Sequence, residues 1–405
     1  MKALKTGLPA LMVAGLVVVM WGLAWPFSVN ASDPIRFDDL QVFFKIGTGY
    51  LVYPDTGSYH KRDQIAWAED FRVLVRAGNE SFRFSINLLE SSYSLAPVTS
   101  TAGKNLWDVE RSSLFAGSVD EGGDSRSVLL IDSFTCQLSS GRFDFTAGRQ
   151  PINLATTFYY SPNDLFAPFQ PQTFFRMYKP GVDGVRLNLR LNPLSQVDLI
   201  GVLAYEADPA SSTGWSQTPD WSQTSMLGRY SFETGGFQMT FLGGKVHDRY
   251  LLGWGFQGEI AGHYGLRSEG NYIDSGMDGY PAQLNVVFGL DRQVTSRLNW
   301  RTEYLMSKVF SNNDPVESGY SGRHHGGIGL GYEITPLLNA TLLTLINLSD
   351  HSGLVAANLL YSLADEVDLT ATIFLPLNTS SSIGENGSQF TDTPRSILLE
   401  YRVFF

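Results

Sequence analysis

The chain closes on Arg395-Ser396-Ile397-Leu398-Leu399-Glu400-Tyr401-Arg402-Val403-Phe404-Phe405. Successive side chains of a β-strand point to opposite faces. Ile397, Leu399, Tyr401, Val403 and Phe405 therefore share one face, and Glu400 and Arg402 share the other. One face suits hydrocarbon and the other suits water. Alternation alone establishes a strand, and a soluble edge strand would alternate as well; the wall of a transmembrane β-barrel, where only a closed sheet leaves no backbone polar group unpaired in a bilayer, is the reading favoured by the terminal aromatic.

The same two-residue repeat recurs upstream. In 182–191, Val185, Leu187, Leu189 and Leu191 oppose Gly184, Arg186, Asn188 and Arg190; in 296–308, Leu298, Trp300, Tyr304 and Met306 oppose Arg297, Asn299, Arg301 and Glu303. A charge on the lipid face costs roughly 2 to 4 kcal/mol at mid-depth, so the charged face must point into the lumen. That logic also places Arg72, Arg76, Arg83, Arg142, Asp144, Asp198, Arg229, Glu259, Arg267, Glu269, Glu333, Asp368, Glu400 and Arg402 inside. So many ionised groups require a wet interior.

Strand-length segments, running from 39–52 to 395–405, are joined alternately by longer loops and by eight tight turns rich in Gly, Asn, Asp and Pro. Gly78-Asn79-Glu80, Ala261-Gly262-His263 and Ala364-Asp365-Glu366 are examples. The count predicts an all-β, antiparallel, up-and-down barrel of about eighteen strands, with both termini on the periplasmic side. Sixteen would follow if 39–52 were an extension and another pair merged. Eighteen strands enclose an aqueous channel.

Lys2 and Lys5 precede an apolar run from Leu8 to Ala24, and Val29-Asn30-Ala31 offers a signal-peptidase site. The expected organisation is a signal peptide at 1–31 and an outer-membrane barrel at 32–405. A mean hydropathy of −0.06 with 13% aromatic residues is too polar for a helical membrane protein. The lone Cys136 excludes an internal disulfide and any cysteine-rich haem or metal site. A formal charge of −11, more acidic still once Lys2 and Lys5 are removed, argues against nucleic acid as a partner. Much of the acid falls in predicted outer loops (Asp55, Glu110, Asp120, Glu121, Asp124, Asp208, Asp220, Asp314, Glu317, Glu385, Asp392), where it is solvated or recruits the divalent cations that bridge lipopolysaccharide.

The ending Glu400 to Phe405 resembles the C-terminal signature of Gram-negative outer-membrane proteins. That resemblance implies that Phe405 is an assembly signal read by the barrel-assembly machinery, and that the protein is integral to the outer membrane. Between the fifth and sixth strands, the long segment Pro151 to Gly181 carries Leu165, Phe166, Phe169, Phe174, Phe175, Met177 and Tyr178, too apolar for an exposed loop. Folding inward would cover them. Its position is similar to that of the constriction loop of trimeric general porins. The flanks Phe145-Thr-Ala-Gly148-Arg149-Gln150 and Lys179-Pro-Gly181-Val-Asp183-Gly-Val-Arg186 resemble segments of large monomeric porin-like barrels such as the alginate-export family. They imply loop-anchoring or lumen roles for Arg149, Gln150, Asp183 and Arg186.

Arg72, Arg76, Arg83, Arg142, Arg186 and Arg190 come from neighbouring strands and form a predicted basic ladder on one wall, beside Asp144. That ladder, joined by Arg176 and Lys179 on the loop, is expected to face Asp164 or Glu303 across the pore, giving a transverse field that orients solutes, and Arg301 is also expected to line the pore. Pairing of these arginines with neighbouring carboxylates is the other reading. The function expected is passive diffusion of small hydrophilic solutes, with weak anion preference. The alternative is the barrel sheath of a porin-cytochrome conduit with a multihaem partner in its lumen. Gly253-Trp-Gly255-Phe-Gln-Gly258 matches a phosphate-loop pattern but lies in a strand with no helix after it. His324 and His325, adjacent on a strand, point to opposite faces and make no metal site. No nucleophile motif is present, so neither enzymatic activity nor a cofactor is expected.

Overall fold

The computed structural model describes residues 34–53, 63–94, 109–121, 125–211, 213–276, 280–310, 322–377, 390 and 393–405. The predicted signal segment 1–31 lies outside the described residues, as do the loop acids Asp55, Asp124, Asp314, Glu317, Glu385 and Asp392. Along the chain the strands are β1 (Arg36–Val52), β2 (Gln64–Gly78), β3 (Phe82–Ser94), β4 (Ala116–Glu121), β5 (Ser125–Ser140), β6 (Phe143–Gln150), β7 (Val182–Asn192), β8 (Ser195–Val202), β9 (Tyr205–Ala207) and β10 (Trp215–Pro219). They continue as β11 (Ser225–Thr234), β12 (Phe237–Val246), β13 (Arg249–Ile260), β14 (Tyr264–Ile273), β15 (Gln283–Gln293) and β16 (Leu298–Val309). The last are β17 (His324–Thr335), β18 (Leu338–Asn347), β19 (Ser352–Ala364), β20 (Val367–Leu377) and β21 (Arg395–Phe404).

Leaving out β4 and the small β9–β10 ribbon, the strands make a closed antiparallel barrel of eighteen. Each tight turn read from the sequence joins two paired neighbours. Closure is made by β1 and β21, in register from Phe43↔Phe404 to Val52↔Arg395. Phe405 extends that ladder, its N–H donating to Val42 O at 2.8 Å and its carbonyl accepting from Val42 N at 3.0 Å. The outer face of β21 carries Ile397, Leu399, Tyr401 and Phe405, all exposed, while Arg402 is buried inside. An apolar belt of this kind around an interior lined by charged side chains is the surface of an integral outer-membrane barrel.

One wall has a construction absent from the sequence reading. The short β6 pairs only with the tight-turn half of β5, from Ser140 to Phe134. Farther out, β4 takes its place and pairs with β5 from Leu130 to Arg126. An open edge on β5 would leave backbone groups unpaired at membrane depth. The returning segment after β3 closes it. Opposite, β3 and β5 slip register between Asn87↔Ser133 and Leu88↔Ile131, which leaves Asp132 as the bulge residue. Bulges re-aim a side chain, and this one turns a carboxylate toward Arg72 and Arg111.

Candidate pore constriction

The segment 151–181 leaves β6 and enters the lumen, as its apolar content requires. Ile152, Leu154 and Phe166 pack with the inward residues Ile200, Leu227, Leu242 and Leu251 of β8, β11, β12 and β13. Tyr160 packs with Val287, Leu305, Leu343 and Leu354 of β15, β16, β18 and β19, a cluster joined by Phe390. Across the barrel, Phe175 stacks on Phe43 of β1 at 5.6 Å, and Tyr178 meets the same ring at 5.1 Å. The loop thus touches both sides of the lumen. Met177 is the exception among the predicted apolar cluster, remaining 58% exposed.

Two buried carboxylates hold the loop to the wall. Glu303 accepts the N–H groups of Phe158 (2.5 Å), Tyr159 (2.8 Å) and Tyr160 (3.1 Å). Glu269 accepts those of Thr157 (2.9 Å), Asn163 (3.0 Å) and Thr156. Hydrogen bonds to an ionised acceptor are about twice as strong as neutral ones, and backbone donors leave a carboxylate no freedom to face the pore. Asn163 and Asn271 add side-chain bonds to Trp254 O (2.8 Å) and Pro162 O (2.7 Å). Glycines supply the space. A Cβ on Gly329 would lie 1.8 Å from Tyr159 Oη, and one on Gly255 would lie 2.5 Å from Thr156 Oγ1. Of the glycines that mimic a phosphate loop, Gly253 and Gly255 are the bed on which this loop rests, whereas Gly258 faces Phe237.

Cations surround the loop. The Phe158 ring lies between the guanidinium groups of Arg267 at 4.3 Å and Arg301 at 4.4 Å. Arg176 donates to the carbonyls of Thr173 (2.9 Å), Pro171 (3.1 Å) and Phe158, so it ties the loop to itself. Arg402 lies 4.3 Å from the Phe175 ring and Arg72 lies 4.8 Å from the Tyr178 ring.

The predicted basic ladder is distributed differently. Arg72 pairs with Asp132 at 2.6 Å, Arg76 with Asp39 at 3.3 Å, Arg186 with Asp198 at 2.8 Å and Arg190 with Asp144 at 3.3 Å. Of the two readings open in the sequence, wall pairing describes these four. Arg142 bonds Leu191 O at the tight-turn end, and Arg83 is exposed near the same end. The transverse arrangement is corrected as well. Lys179 pairs with Asp164 of its own loop, and Glu303 lies beneath the loop instead of across from it. Arg149 does anchor the loop's base, donating to Asp183 at 2.7 and 3.0 Å, and Gln150 bonds Gly184 O at 3.1 Å.

Sequence reasoning missed three participants. Arg111 shares Asp132 with Arg72, at 2.9 Å. Ser112 donates its N–H to Asp183 at 2.8 Å and accepts from Arg149 at 2.8 Å, which locks the wall-completing segment to β6 and β7. Asp132 sits in a bulge, and period-two reading fails at a bulge. The two histidines take opposite faces: His325 is buried in the lumen and bonds Gly322 O at 3.2 Å, while His324 meets Tyr304 OH outside at 2.6 Å.

No protein-family model and no curated protein sequence matches this chain. Solved structures do. Acinetobacter baumannii OccAB3 superposes with a TM-score of 0.56 at 13% identity, over 91% of this chain and 99% of that one. The architecture is that of the outer-membrane porin barrels. Pseudomonas aeruginosa OccK9 (OpdG) gives 0.54 at 10% identity, over 91% and 98% of the two chains. Pseudomonas aeruginosa OpdK with vanillate gives 0.51 at 10% identity, over 91% and 98%.

Proposed function

We propose that the protein is a passive channel for small hydrophilic solutes across the outer membrane, with a weak preference for anions. The observation that carries this reading is the segment 151–181, held by Glu269 and Glu303 on one side and by Phe43 on the other. It narrows a wide wet barrel to an aperture and fixes which side chains border it. It also occupies the volume that a multihaem guest would need, so an open pore is favoured over a sheath.

Selectivity follows from local charge. Arg301 is exposed beside the loop, and Arg267 and Arg176 are close to it through Phe158. Arg267 is paired with Asp291 at 3.3 Å, while Glu269 and Glu303, 0% and 2% exposed, face backbone donors. Acid on outer loops is screened within roughly 8 Å at physiological salt. Arg301, in place of the paired ladder, is the group offered to a passing ion. Planar-bilayer recordings test both levels of the reading. Wild type should conduct in steps and show a reversal potential on the anion side in a salt gradient, and Arg301→Ser should move it toward cations. Absence of conductance would overturn the channel, and an unmoved reversal potential would overturn the selectivity. Vanillate, an organic anion, is a suitable first solute for flux measurements.

A further inference from the structure

A cavity of about 510 Å³ opens in the lumen wall on the extracellular side of the Phe43–Tyr178 contact, spanning β21, β1, β2, β3 and β5. It is in the size range of small-molecule sites, roughly 300 to 1,000 Å³. Its floor is cut into the wall by small inward residues in register across β1 and β2, Gly47 opposite Ala68 and Gly49 opposite Ala66. Leu89, Val128 and Leu130 form an apolar bank at one side, and Leu398 closes the other. Lumen walls of wet barrels are polar. An apolar recess here is a departure that the pinned loop, which reaches it only at Pro180, does not explain.

Among the described charged residues that line the recess, Glu400 is held by Arg402 and Thr370 and Arg126 is buried, which leaves the pair Lys45–Asp70 with both partners on the cavity and part-exposed. Lys45 Nζ and Asp70 Oδ2 are 2.6 Å apart, with side chains 20% and 19% exposed. The neighbouring Arg72–Asp132–Arg111 triad is closed, since Asp132 is only 2% accessible and both arginines already share it. A solute with a single charge could engage Lys45 or Asp70 only by leaving the other without its partner, which is costly where water is partly excluded. A solute with an ammonium and a carboxylate on one carbon exchanges partners with the pair and leaves nothing unmatched. We infer that this recess is a capture site for zwitterionic solutes with an apolar body, the chemistry of an α-amino acid with an apolar side chain. Its role in transport rests on the channel reading; binding itself does not.

The test is equilibrium dialysis of labelled L-phenylalanine against the refolded full-length barrel in detergent, with 3-phenylpropionate and phenethylamine as one-charge competitors and bilayer conductance measured on the same preparation. L-phenylalanine should bind saturably and at least tenfold more tightly than either competitor. Ala68→Phe, which fills the floor from an exposed position, should abolish binding and leave conductance steps in place. Asp70→Asn should weaken L-phenylalanine at least tenfold while 3-phenylpropionate holds or improves. No saturable binding, equal binding of a one-charge analogue, or wild-type affinity in Ala68→Phe would overturn the site. Conductance without binding removes the site and keeps the channel; binding without conductance does the reverse.

Discussion

Glu303 shows how one side chain fixes a pore. Its two oxygens take three consecutive backbone donors from Phe158, Tyr159 and Tyr160, which have no helix or sheet partner of their own. Glu303→Ala removes the acceptor for all three. With charged hydrogen bonds at about 1.5 to 3 kcal/mol each and water able to replace part of the loss, destabilisation of about 3 kcal/mol is expected. Urea unfolding of the refolded barrel measures it, and a midpoint equal to wild type would show that the loop holds without this anchor. Gly329 is the steric counterpart. Alanine there collides with Tyr159 Oη, and overpacking of this kind costs about 1 to 3 kcal/mol. Tyr159→Phe removes the colliding oxygen, so the double variant should recover most of the loss. Additive effects in that cycle would place the strain elsewhere.

At the level of elements, the seam where β4 replaces β6 beside β5 is the weak point of the wall. Arg149, 2% exposed at its side chain, joins β6, β7 and the returning segment through Asp183, Ser112 O and Ile131 O. Arg149→Met leaves Asp183 without its cation, and breaking one side of a buried pair costs about 3 to 5 kcal/mol. Combining it with Asp183→Leu removes the stranded charge and should be less damaging than Arg149→Met alone. Unfolding midpoints of the two variants decide it; if the double variant were the less stable, Asp183 would matter chiefly through Ser112. The segment 151–181, tucked into the lumen, should resist protease added to intact cells.

For the whole molecule the decisive contact is β1 with β21, which turns a sheet into a barrel. Phe405 lengthens that contact through its backbone, while its ring, 67% exposed, lies on the outer face away from the lumen. Deleting it should lower the amount of assembled barrel in outer membranes and leave single-channel conductance of the assembled fraction unchanged. Heat-modifiable mobility gives the first quantity and bilayer recording the second. Undiminished assembly would remove Phe405 from the folding pathway.

The alternation of residues such as Val185 with Arg186, or Tyr401 with Arg402, determined the strands and their faces, because lipid outside and water inside impose a period of two that each strand must obey alone; the tight turns gave the antiparallel order and a count of about eighteen, with sixteen still open until the structure closed the barrel. The apolar content of 151–181 likewise determined that the segment turns inward. Tertiary structure alone decided where its partners lie. Glu269, Glu303, Phe43 and the glycine bed are 80 or more residues from the loop in some cases and on either side of it in sequence, and alternation says which face a residue takes without saying what stands across the lumen. The arginine ladder shows the same limit: Arg72 and Arg186 point inward as their parity demands, yet only the register of β5 with its bulge at Asp132, and of β7 with β8, brings carboxylates within reach and makes them wall pairs. Facing is a local property of a strand, whereas pairing across strands and across a lumen depends on register and closure, which no single segment encodes.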